Sequence, residues 1–552
     1  MTFDISNDQI IEILISIHRD THDNGMTVGE YADAVISGIH PILEHNEFLY
    51  QFGARQEDLS KVINWATKNS LIVNESDICK SLVRISGSVG NFNSLFNITL
   101  HTVTDNNRTY MSHSGTITIP NEIIDVVEQV LGFDQTHELK SHALHPDTHY
   151  TGDPTPTPAP GNGPFPIKNT LDPIINTKAY NIPSGSGYGQ TIGILCLDPT
   201  IYGGWNQTDI NLTFNRVGGF SKIPTPINYP VNGVGIGSSS QTETMMDIWC
   251  SGGVVPWAQQ VIYAVPTADA SGLLAVFNAI LADNVNNPSI ISVSLGFSGE
   301  SVGDFLGTTF QALVAKGILI FNSSGDDGAE SYVVDYPGTS NYVVCCGGTS
   351  IWVNGNGSLN TQTSWSGSGG GISTIISRPS WQTTPPIYST TYSTSGVSGS
   401  PTLVTNRGTP DISAPGDPYT GYEFYTNSVL TANAGTSASA PLLAGIIARL
   451  QQLIGRRIGL GELMTLLYNN IGTATFDVGA GSNNFNWNGG NTATNAYQAT
   501  PGWDACTGTG TPNGTGIYKL LHKGATYPKQ NYGFRPTNGA SYPRISQGAR
   551  KH

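Results

Sequence analysis

The sequence predicts an α/β fold: a mostly parallel sheet with helices on both faces, preceded by a small α+β domain. From about residue 166 to 524, short apolar runs of strand length alternate with helical stretches, which is typical of strands buried on both faces. Residues 1–149 differ from that region in charge and pattern, and a segment rich in Pro, Thr and Gly separates the two. A chain of 552 residues is also too long for one compact core, so two or more domains are expected.

The N-terminal domain is predicted over residues 1–149, which carry 20 acidic and 8 basic side chains. Helical periodicity runs through QEDLSKVINWATKNS, ending at Asn69 and Ser70, and through NEIIDVVEQVLGF after Pro120. The runs SLVRISGSV and FNITLHTVT are strand-like. Together these segments predict a small α+β domain.

The boundary is predicted at residues 150–165, inside the segment HPDTHYTGDPTPTPAPGNGPFP. Such a composition favours an extended, solvated linker that proteases can reach, so we expect a processing site there. Residues 525–552 are basic, contain no acidic residue and are predicted to be a flexible tail.

The second domain is predicted over residues 166–524. Its strand candidates are TIGILCL, QVIYAVP, IISVSLG, GILIFNSSG and YVVCCGG, and its helix candidates are SGLLAVFNAILADN and FLGTTFQALVAKG. Ligands of such sheets bind at the C-terminal ends of the strands, so functional residues are expected there.

Composition excludes several classes of protein. Only 12% of residues are charged, no apolar run approaches the length of a membrane span, and the folded regions hold no large basic run for nucleic acid. The six cysteines show no metal-binding spacing, and Cys196, Cys345 and Cys346 are expected to be buried thiols. The N-terminus lacks the features of a secretory signal.

Ser437 is a candidate nucleophile in the segment NAGTSASAPLLAGIIARL, where a turn of small residues leads into an apolar helix. The helix N-terminus offers N–H donors and positive potential to a developing oxyanion. The alternative is an ordinary helix N-cap. A serine nucleophile needs a base, usually histidine, but no histidine occurs between His149 and His522. The base of Ser437 is therefore expected to be a carboxylate.

Glu243 and Asp247 are the candidate carboxylates, in QTETMMDIWCSGGVVPWAQQ. Their i, i+4 spacing places both on one helix face, about 5–6 Å apart at Cβ. Apolar neighbours predict burial, and burial with mutual repulsion raises both pKa values. Glu243 would then act as the base toward Ser437 while Asp247 orients it. The alternative is a solvated helix face.

Asp326 follows an apolar strand in GILIFNSSGDDGAE, at the C-terminal edge of the predicted sheet. A protonated carboxyl there could donate a hydrogen bond to an oxyanion. Its neighbour Asp327 is the alternative candidate, and either could be a plain turn residue. The segment Ser294–Gly296 ends another strand and could line the backbone of a substrate.

These motifs resemble the sedolisin (serine-carboxyl peptidase) family in its kumamolisin-like pro-form. The family pattern of E-x-x-x-D, a Gly-Asp turn and G-T-S-x-x-x-P falls on Glu243 with Asp247, Asp326 and Ser437. The segments AYNIPSGSGYGQTIGIL, RGTPDISAPGDPYTGY and SGSGGGIS match as well. One departure is the oxyanion turn, which reads Gly-Asp-Asp-Gly where the family commonly has Gly-Asp-Ser-Gly.

The resemblance implies a subtilisin-like fold, a serine-type endopeptidase acting on protein or peptide substrates, and a pro-domain that acts as an intramolecular inhibitor. It also implies one structural Ca²⁺ ion, whose hard oxygen ligands come from two loops. The matching residues are Asp477, Val478, Thr500, Gly502 and Asp504, with Thr500 where the family usually has glycine.

Subtilisin itself is the rival interpretation, with Asp198 at the end of TIGILCLD in the position of its aspartate. That enzyme needs a histidine that the region lacks, so Asp198 is interpreted as structural. Two further functions stay open at this point. The chain could be a non-catalytic homologue used as a binding or surface protein, or a tripeptidyl-peptidase of the same family.

We therefore expect a monomeric zymogen that works in acid, located outside the cell or in an acidic compartment. Ten of the twelve histidines lie in residues 1–149 and become charged as the pH falls through about 6.5. This pattern predicts acid-triggered release of the pro-domain, with cleavage in or near residues 150–165.

Overall fold

A computed structural model of the chain describes residues 2–21, 25–105, 108–142, 171–329, 334–393, 398–484 and 495–523. The predicted linker at 150–165 and the predicted tail at 525–552 lie outside these residues. The strands of the N-terminal region are β1 (Thr2–Asp4), β2 (Ile10–Ile17), β3 (Ile72–Asp77), β4 (Leu82–Ser88), β5 (Thr99–Asp105), β6 (Arg108–Ser114), β7 (Val127–Leu131) and β8 (Lys140–Ser141). Its helices are α1 (Val28–Ile36), α2 (His45–Phe52), α3 (Gln56–Lys68) and α4 (Val89–Phe96).

The N-terminal region is built on an antiparallel sheet in the order β3-β4-β2-β7, with a second sheet in the order β1-β5-β6. Helix α3 forms where its periodicity predicts it, because Leu59, Val62 and Trp65 lie on one buried face. The helix ends before Ser70, whose φ of 57° is incompatible with continuation. The predicted strands over 82–88 and 99–105 are also confirmed.

The helix predicted over NEIIDVVEQVLGF is wrong. Residues 121–126 form turns, and residues 127–131 form strand β7, which pairs antiparallel with β2. The segment contains three valines, whose branched side chains favour strands. The backbone hydrogen bonds offered by the edge of β2 therefore prevail over the helical spacing of its apolar residues.

The strands of the C-terminal region are β9 (Thr191–Leu197), β10 (Ile227–Tyr229), β11 (Gln259–Val265), β12 (Ile290–Val293), β13 (Leu295–Gly296), β14 (Leu319–Ser323), β15 (Val344–Val353), β16 (Leu359–Ser364), β17 (Gly371–Ser377), β18 (Tyr388–Ser389), β19 (Thr391–Ser393), β20 (Thr402–Leu403), β21 (Asn406–Thr409), β22 (Ile412–Pro415), β23 (Tyr422–Thr426), β24 (Val429–Asn433), β25 (Thr475–Phe476), β26 (Asn495–Tyr497) and β27 (Thr511–Pro512). Its helices are α5 (Pro173–Ala179), α6 (Pro199–Tyr202), α7 (Gln207–Val217), α8 (Thr242–Val254), α9 (Ala270–Ala282), α10 (Gly307–Ala315), α11 (Thr436–Ile454), α12 (Leu460–Asn469) and α13 (Gly514–Lys523), with short 3₁₀ turns at Ser380–Gln382 and Pro418–Thr420.

The central sheet runs in the order β10-β11-β9-β12-β14-β15-β16, with β22 also paired to β15. All of these pairs are parallel except β15 with β16. Helices α8 and α11 pack together against the sheet, while α9 packs on β11 and on α10. The predicted fold class, a subtilisin-like parallel sheet with helices after a small α+β domain, is confirmed.

The N-terminal region packs directly on the C-terminal region. Leu43 N–H donates to Ala315 O at 2.8 Å, and Gln129 Nε2 donates to Phe305 O at 3.0 Å. Helix α1 lies against α10, and strand β8 pairs with β13 at the C-terminal end of the central sheet. The N-terminal region therefore reaches the edge at which functional residues are expected.

All six cysteines are buried free thiols, as expected for Cys196, Cys345 and Cys346. Among the helices that the structure describes, none combines the length and the apolar character needed to cross a bilayer.

Candidate active site

Glu243 and Asp247 stand one turn apart on α8, a helix that is almost wholly buried. Their side chains are closed to solvent, with relative exposures of 4% and 0%. Within the described residues, Glu243 Oε1 and Asp247 Oδ2 have no hydrogen-bond partner. Each carboxyl therefore has one oxygen without a partner, so the pair is suited to sharing a proton.

Burial raises the pKa of Glu243 to about 7, although hydrogen bonds from serine hydroxyls partly oppose the shift. Burial raises the pKa of Asp247 well above its usual range, and the charge of Glu243 raises it further. Glu243 accepts hydrogen bonds from the hydroxyls of Ser141 and Ser437, whereas Asp247 accepts one from Ser294, and this difference favours the ionised form on Glu243.

Ser437 is the second residue of α11 and is fully buried. Its Oγ donates a hydrogen bond to Glu243 Oε2 at 3.1 Å. Pro441, one turn later, has no N–H, so the Ser437 carbonyl has no helical partner at that position. That carbonyl lies 3.2 Å from Ser294 Oγ, which is also 2.7 Å from Asp247 Oδ1. Ser294 thus links the serine backbone to the second carboxyl.

Close packing of two helices sets the distance between Ser437 and Glu243. Where α11 crosses α8, a β-carbon on Gly445 would lie 3.0 Å from Ser251 O and 3.1 Å from Val254 Cβ. Glycine at position 445 therefore allows the two helix backbones to approach each other.

Asp326 lies two residues beyond Ser324, just after the end of β14. Its Oδ1 accepts hydrogen bonds from Thr436 N and Thr436 Oγ1, both at 2.7 Å. Burial raises the pKa of Asp326 well above its usual range, which favours the protonated form of this carboxyl, although the hydrogen bonds from Thr436 partly oppose the shift. The neighbouring Asp327 is more exposed than Asp326, and the Thr436 hydrogen bonds go to Asp326.

An extended segment of the N-terminal region, Leu139–His142, runs through the site. Leu139 N–H donates to Ala268 O at 2.9 Å, and β8 pairs antiparallel with β13. His142 N–H donates to Ser294 O at 3.1 Å. Ser141 Oγ donates to Glu243 Oε2, the same oxygen that Ser437 uses. The segment therefore lies on the predicted substrate edge at Ser294–Gly296 and covers the carboxyl pair.

The His142 carbonyl lies at the N-terminus of α11. It accepts a hydrogen bond from Ser437 N–H at 3.3 Å. A β-carbon on Gly435 would lie 2.3 Å from this oxygen and 2.2 Å from Asp326 Oδ2, and Gly435 has a φ of +104°. The carbonyl and the Asp326 carboxyl thus both lie against Gly435, which no other residue could replace without a clash.

The His142 side chain fills a buried pocket. Its Nδ1 and Ser323 Oγ share a hydrogen bond of 2.7 Å, and a β-carbon on Gly296 would lie 2.5 Å from its Cε1. Asp335 Oδ2 lies 3.6 Å from Nε2, too far for a good hydrogen bond, and does not offset the burial. Burial lowers the pKa of His142 to about 4, so the ring is neutral above that pH.

The structure brings together the predicted residues Ser437, Glu243 and Asp247, and Asp326 lies against Gly435, two residues before Ser437. Sequence reasoning missed Ser141 and His142, because they belong to no motif and His142 falls among the histidines of the N-terminal region. Sequence reasoning also missed the hydrogen bonds that Thr436 donates to Asp326. The position of Thr436 next to Ser437 in the Gly-Thr-Ser turn was the signal that could have indicated this contact.

The subtilisin interpretation gains nothing from this geometry. Asp198 has a left-handed φ of 32°, and its Oδ1 accepts a hydrogen bond from Thr200 Oγ1 at 2.5 Å. His142 approaches the site, but its ring bonds Ser323, while Ser437 Oγ bonds Glu243.

The predicted calcium residues lie in two adjoining loops. Gly502 N–H donates to Asp477 Oδ2 at 2.9 Å, which holds the loops together. Asp504 is buried and accepts N–H bonds from Cys506 and Thr507 at 2.9 and 2.8 Å. Its Oδ2 accepts a bond from Thr500 N–H at 3.2 Å, and Thr500 is not among the residues with positive φ. The Thr500 backbone therefore needs no glycine.

The donor set of these loops fits a hard cation. Its carboxylates, from Asp477 and Asp504, are hard oxygen donors of the kind that Ca²⁺ takes, and burial, not a basic side chain, is the largest cause of the shift in both pKa values. Burial raises the pKa of Asp504 to about 8, which a bound divalent cation would oppose. Within the described residues, no group of three or more His, Cys, Asp or Glu side chains is placed to hold a metal.

Two family models match the chain. Residues 4–136 match the activation domain of pro-kumamolisin, and residues 233–498 match the subtilase family. The first covers most of the N-terminal region. The second covers the segment that holds Glu243, Asp247, Asp326 and Ser437.

Two relatives align with most of the chain. Kumamolisin of Bacillus sp. strain MN-32 is 29% identical over 542 residues, covering 94% of this chain and 92% of the relative. Sedolisin of Pseudomonas sp. strain 101 is 26% identical over 511 residues, covering 85% and 79%. The solved structure of Pseudomonas sedolisin, a serine-carboxyl proteinase complexed with two molecules of pseudo-iodotyrostatin, has a TM-score of 0.53 at 25% identity and covers 65% of this chain and 100% of that one.

Proposed function

The chain belongs to the sedolisin family as a kumamolisin-like serine-type peptidase with its own activation domain, and we propose that it is an acid-acting serine-carboxyl endopeptidase made as a zymogen. The observation that carries the proposal is the hydrogen bond from Ser437 Oγ to Glu243 Oε2. It supplies a weak nucleophile with a base, and no histidine among the described residues hydrogen-bonds the Ser437 hydroxyl.

In the first step, Ser437 Oγ attacks the peptide carbonyl carbon and its proton passes to Glu243. Asp247 acts as a positioning residue, since its protonated carboxyl and Ser294 fix the pair relative to the helix of Ser437. A neutral Asp247 also spares Glu243 the repulsion of a second buried charge.

The negative charge that develops on the carbonyl oxygen needs donors. Ser437 N–H supplies one, and the protonated Asp326 carboxyl supplies the other across Gly435. Because Thr436 binds Oδ1 of Asp326, the carboxyl is held in one orientation. Acid favours this arrangement since Asp326 must carry its proton in order to donate.

Collapse of the tetrahedral intermediate breaks the C–N bond, and Glu243 returns the proton to the leaving amine. A water molecule then attacks the acyl ester on Ser437, with Glu243 again accepting a proton. The cycle ends with a free carboxylic acid and the original state of Ser437.

An endopeptidase is favoured over a tripeptidyl-peptidase by the path of the bound segment. Toward the N-terminus, the chain runs from His142 through Leu139, whose N–H donates to Ala268 O, to strand β7. A site that admits more than three residues on the acyl side does not require a free amino terminus close to the cleaved bond.

The proposal is tested with N-terminally acetylated and free decapeptides at pH 4, using acid-treated protein and mass spectrometry of the products. An endopeptidase cleaves both forms internally at comparable rates. Release of tripeptides from the free form only would assign the tripeptidyl alternative. No cleavage of any peptide or denatured protein would support a non-catalytic homologue instead.

One calcium ion is proposed for the loops of Asp477–Val478 and Thr500–Asp504. The carboxylates of Asp477 and Asp504 would hold it, with the carbonyl oxygens of Val478, Thr500 and Gly502. A bound Ca²⁺ would fix the two loops and contribute to stability without taking part in peptide cleavage.

Removal of calcium should lower the thermal stability of the protein. With Ca²⁺ at about 100 times its Kd, binding contributes about 2.7 kcal/mol, which corresponds to a shift in Tm of about 4 °C for a domain of this size. The measurement is calorimetry of the full-length Ser437→Ala chain in chelator, in Ca²⁺ and in Mg²⁺. Asp504→Asn should abolish the Ca²⁺-dependent shift, whereas equal Tm values for the parent chain in chelator and Ca²⁺ would refute the site.

We propose peptide substrates and the chain's own pro-domain as the partners of the protein. We also propose that the protein is a monomer and that it acts outside the cell or in an acidic compartment. The pro-domain's contacts with Glu243 and Ser437 support inhibition by occupation of the site.

A further inference from the structure

The segments that lead into helices α8 and α11 fix where the base and the nucleophile meet, because Glu243 and Ser437 are each the second residue of their helix. Ser240 lies three residues before Glu243, in the loop that leads into α8. Strand β24 ends four residues before Ser437, and the hairpin turn that precedes this strand is Asn427–Ser428. One buried side chain outside the active site binds both segments. It is Asp209 of α7, which is 1% exposed.

The turn between β23 and β24 is held by the Asp209 carboxylate. The two strands pair directly on either side of the turn, and both turn residues have left-handed φ values, 50° for Asn427 and 64° for Ser428. Turns of this type favour Asn-Gly, because glycine tolerates the left-handed region at the second position. Serine stands at that position in this chain. Asp209 Oδ2 accepts the Asn427 N–H at 2.7 Å and Oδ1 accepts the Ser428 N–H at 2.8 Å, so one carboxylate binds both turn amides.

The same carboxylate binds the loop that leads into α8. Asp209 Oδ2 accepts a hydrogen bond from Ser240 Oγ at 2.5 Å. The Asn427 side chain reinforces this contact, since its Oδ1 accepts the Ser240 N–H at 3.0 Å and its Nδ2 donates to Ser240 O at 3.1 Å. The loop before the base and the turn before the nucleophile are therefore joined through one residue of α7.

Helix α7 also holds the hairpin behind its turn. Thr213 follows Asp209 at i+4 and so lies on the same face of α7. Its Oγ1 accepts the Tyr425 N–H at 2.9 Å, which attaches β23 to the helix. Strand β24, paired with β23, ends at Asn433, which lines the cleft beside Glu243. The position of α7 is thus transmitted along the hairpin to the start of α11.

We propose that Asp209 is a positioning residue for peptide cleavage, whose carboxylate keeps Ser437 within reach of Glu243 by holding the segments that lead into both helices. The inference rests on the proposed function. Within the described residues, the carboxylate makes no hydrogen bond with Ser437 or Glu243, so it acts through Ser240 and the turn. Proton transfer requires hydrogen-bond reach, and a misplacement of about 1 Å can lower the rate about 100-fold. Gly445 sets the spacing where the helices cross, and Asp209 sets it at their N-terminal ends.

The first test measures kcat and KM of Asp209→Asn on a quenched peptide at pH 4, with acid-treated protein. Asparagine has a single side-chain oxygen, so it leaves the amide of Asn427 or of Ser428 without an acceptor. We expect kcat per active molecule to fall about 10- to 100-fold while KM stays within about 3-fold of the parent value. Active molecules are counted from the burst of the first product, and thermal unfolding verifies that the variant is folded.

Asp283→Asn is the matched control. Asp283 is also buried, and its Oδ1 also accepts two turn amides, those of Val285 and Asn286 at 3.1 and 2.9 Å. This turn leads into the N-terminal end of β12, away from the strand ends at the site. The control should lower the thermal stability and leave kcat per active molecule unchanged. Ser240→Ala, which removes one hydrogen bond to Asp209, should lower kcat about 3- to 10-fold and takes the place of Asp209→Asn if that variant does not fold.

The second test determines whether Asp209 acts through the turn. Ser428→Gly makes the turn Asn-Gly, a pair that adopts the left-handed conformation without a carboxylate. Combined with Asp209→Asn, it should restore kcat to within about 3-fold of the parent value. Parental kcat in folded Asp209→Asn or Ser240→Ala, an equal loss in Asp283→Asn, or no recovery in the double variant would overturn the proposal and leave the proposed function standing. A parent protein that cleaves no peptide would refute both.

Discussion

Replacement of Ser437 by alanine should reduce peptide cleavage at least 10⁴-fold and leave the full-length chain unprocessed in acid. The hydroxyl is the group that forms the acyl bond, and no other hydroxyl of the described residues shares both its contact with Glu243 and its place beside the His142 carbonyl. A 10⁴-fold loss corresponds to about 5.4 kcal/mol of transition-state stabilisation. The measurement is kcat/KM on a quenched peptide, with a gel time course of the full-length chain.

Ser439→Ala is the matched control for this variant. Ser439 lies two residues further along α11, is equally buried, and donates to Ala414 O at 2.9 Å and not to Glu243. Its loss should lower stability by about 1 kcal/mol while kcat per folded molecule is maintained. If Ser437→Ala kept parental activity, or if Ser439→Ala lost as much, Ser437 would not be the nucleophile.

The fold was largely predictable because its strongest signals are local. Strands β9, β11 and β14 are apolar runs bounded by turn residues, and burial on both faces of a parallel sheet requires such runs. The failure at β7 shows the limit. The residues of β7 have helical spacing, and their strand conformation depends on pairing with β2, more than a hundred residues away in sequence.

The candidate site likewise combines features that the sequence predicts with features that depend on the fold. Glu243 with Asp247, and Ser437 with its helix, are local patterns whose chemistry can be stated from the sequence. The role of Ser294, between Asp247 and the Ser437 carbonyl, requires three segments to converge. The position of His142 depends on the pairing of β8 with β13, which no local pattern in the Lys140–His142 segment encodes.

The pairing of β8 with β13 brings a histidine to the site, although the sequence has none between His149 and His522. Within the described residues, no imidazole is placed to serve Ser437 as a base, yet His142 is inserted into the site by the N-terminal region. Its ring bonds Ser323 and its carbonyl meets Ser437 N–H, so histidine enters as a bound side chain rather than as a catalytic group.

Glu243→Gln should lower kcat about 10³- to 10⁴-fold with a small effect on KM. The amide oxygen can still accept the hydrogen bond of Ser437 Oγ, so the serine keeps its place, but the amide cannot take up the proton. Glu423→Gln is a control for the loss of one carboxylate, since Glu423 pairs with Arg216 on the surface and should leave kcat unchanged. An unaltered kcat in Glu243→Gln would exclude Glu243 as the base.

The pH dependence of the parent enzyme tests the same assignment. Glu243 must be ionised to accept a proton, so the rate falls as the pH falls through its pKa. In the closed zymogen, burial beneath Ser141 and His142 raises the pKa of Glu243 to about 7. Self-cleavage in acid therefore proceeds through the small ionised fraction of Glu243, and its rate should fall further as the pH is lowered. Removal of the segment admits water, which lowers the pKa toward the ordinary value of about 4.3.

We therefore expect the acidic limb for peptide cleavage by the processed enzyme to lie at lower pH than the limb for self-cleavage. Asp326 acts in the opposite sense, because it donates only while protonated and its loss of a proton ends activity as the pH rises. Rate profiles for single-turnover self-cleavage and for peptide turnover, measured between pH 3 and pH 8, separate the two limbs. Coincident acidic limbs would mean that the docked segment does not control the ionisation of Glu243.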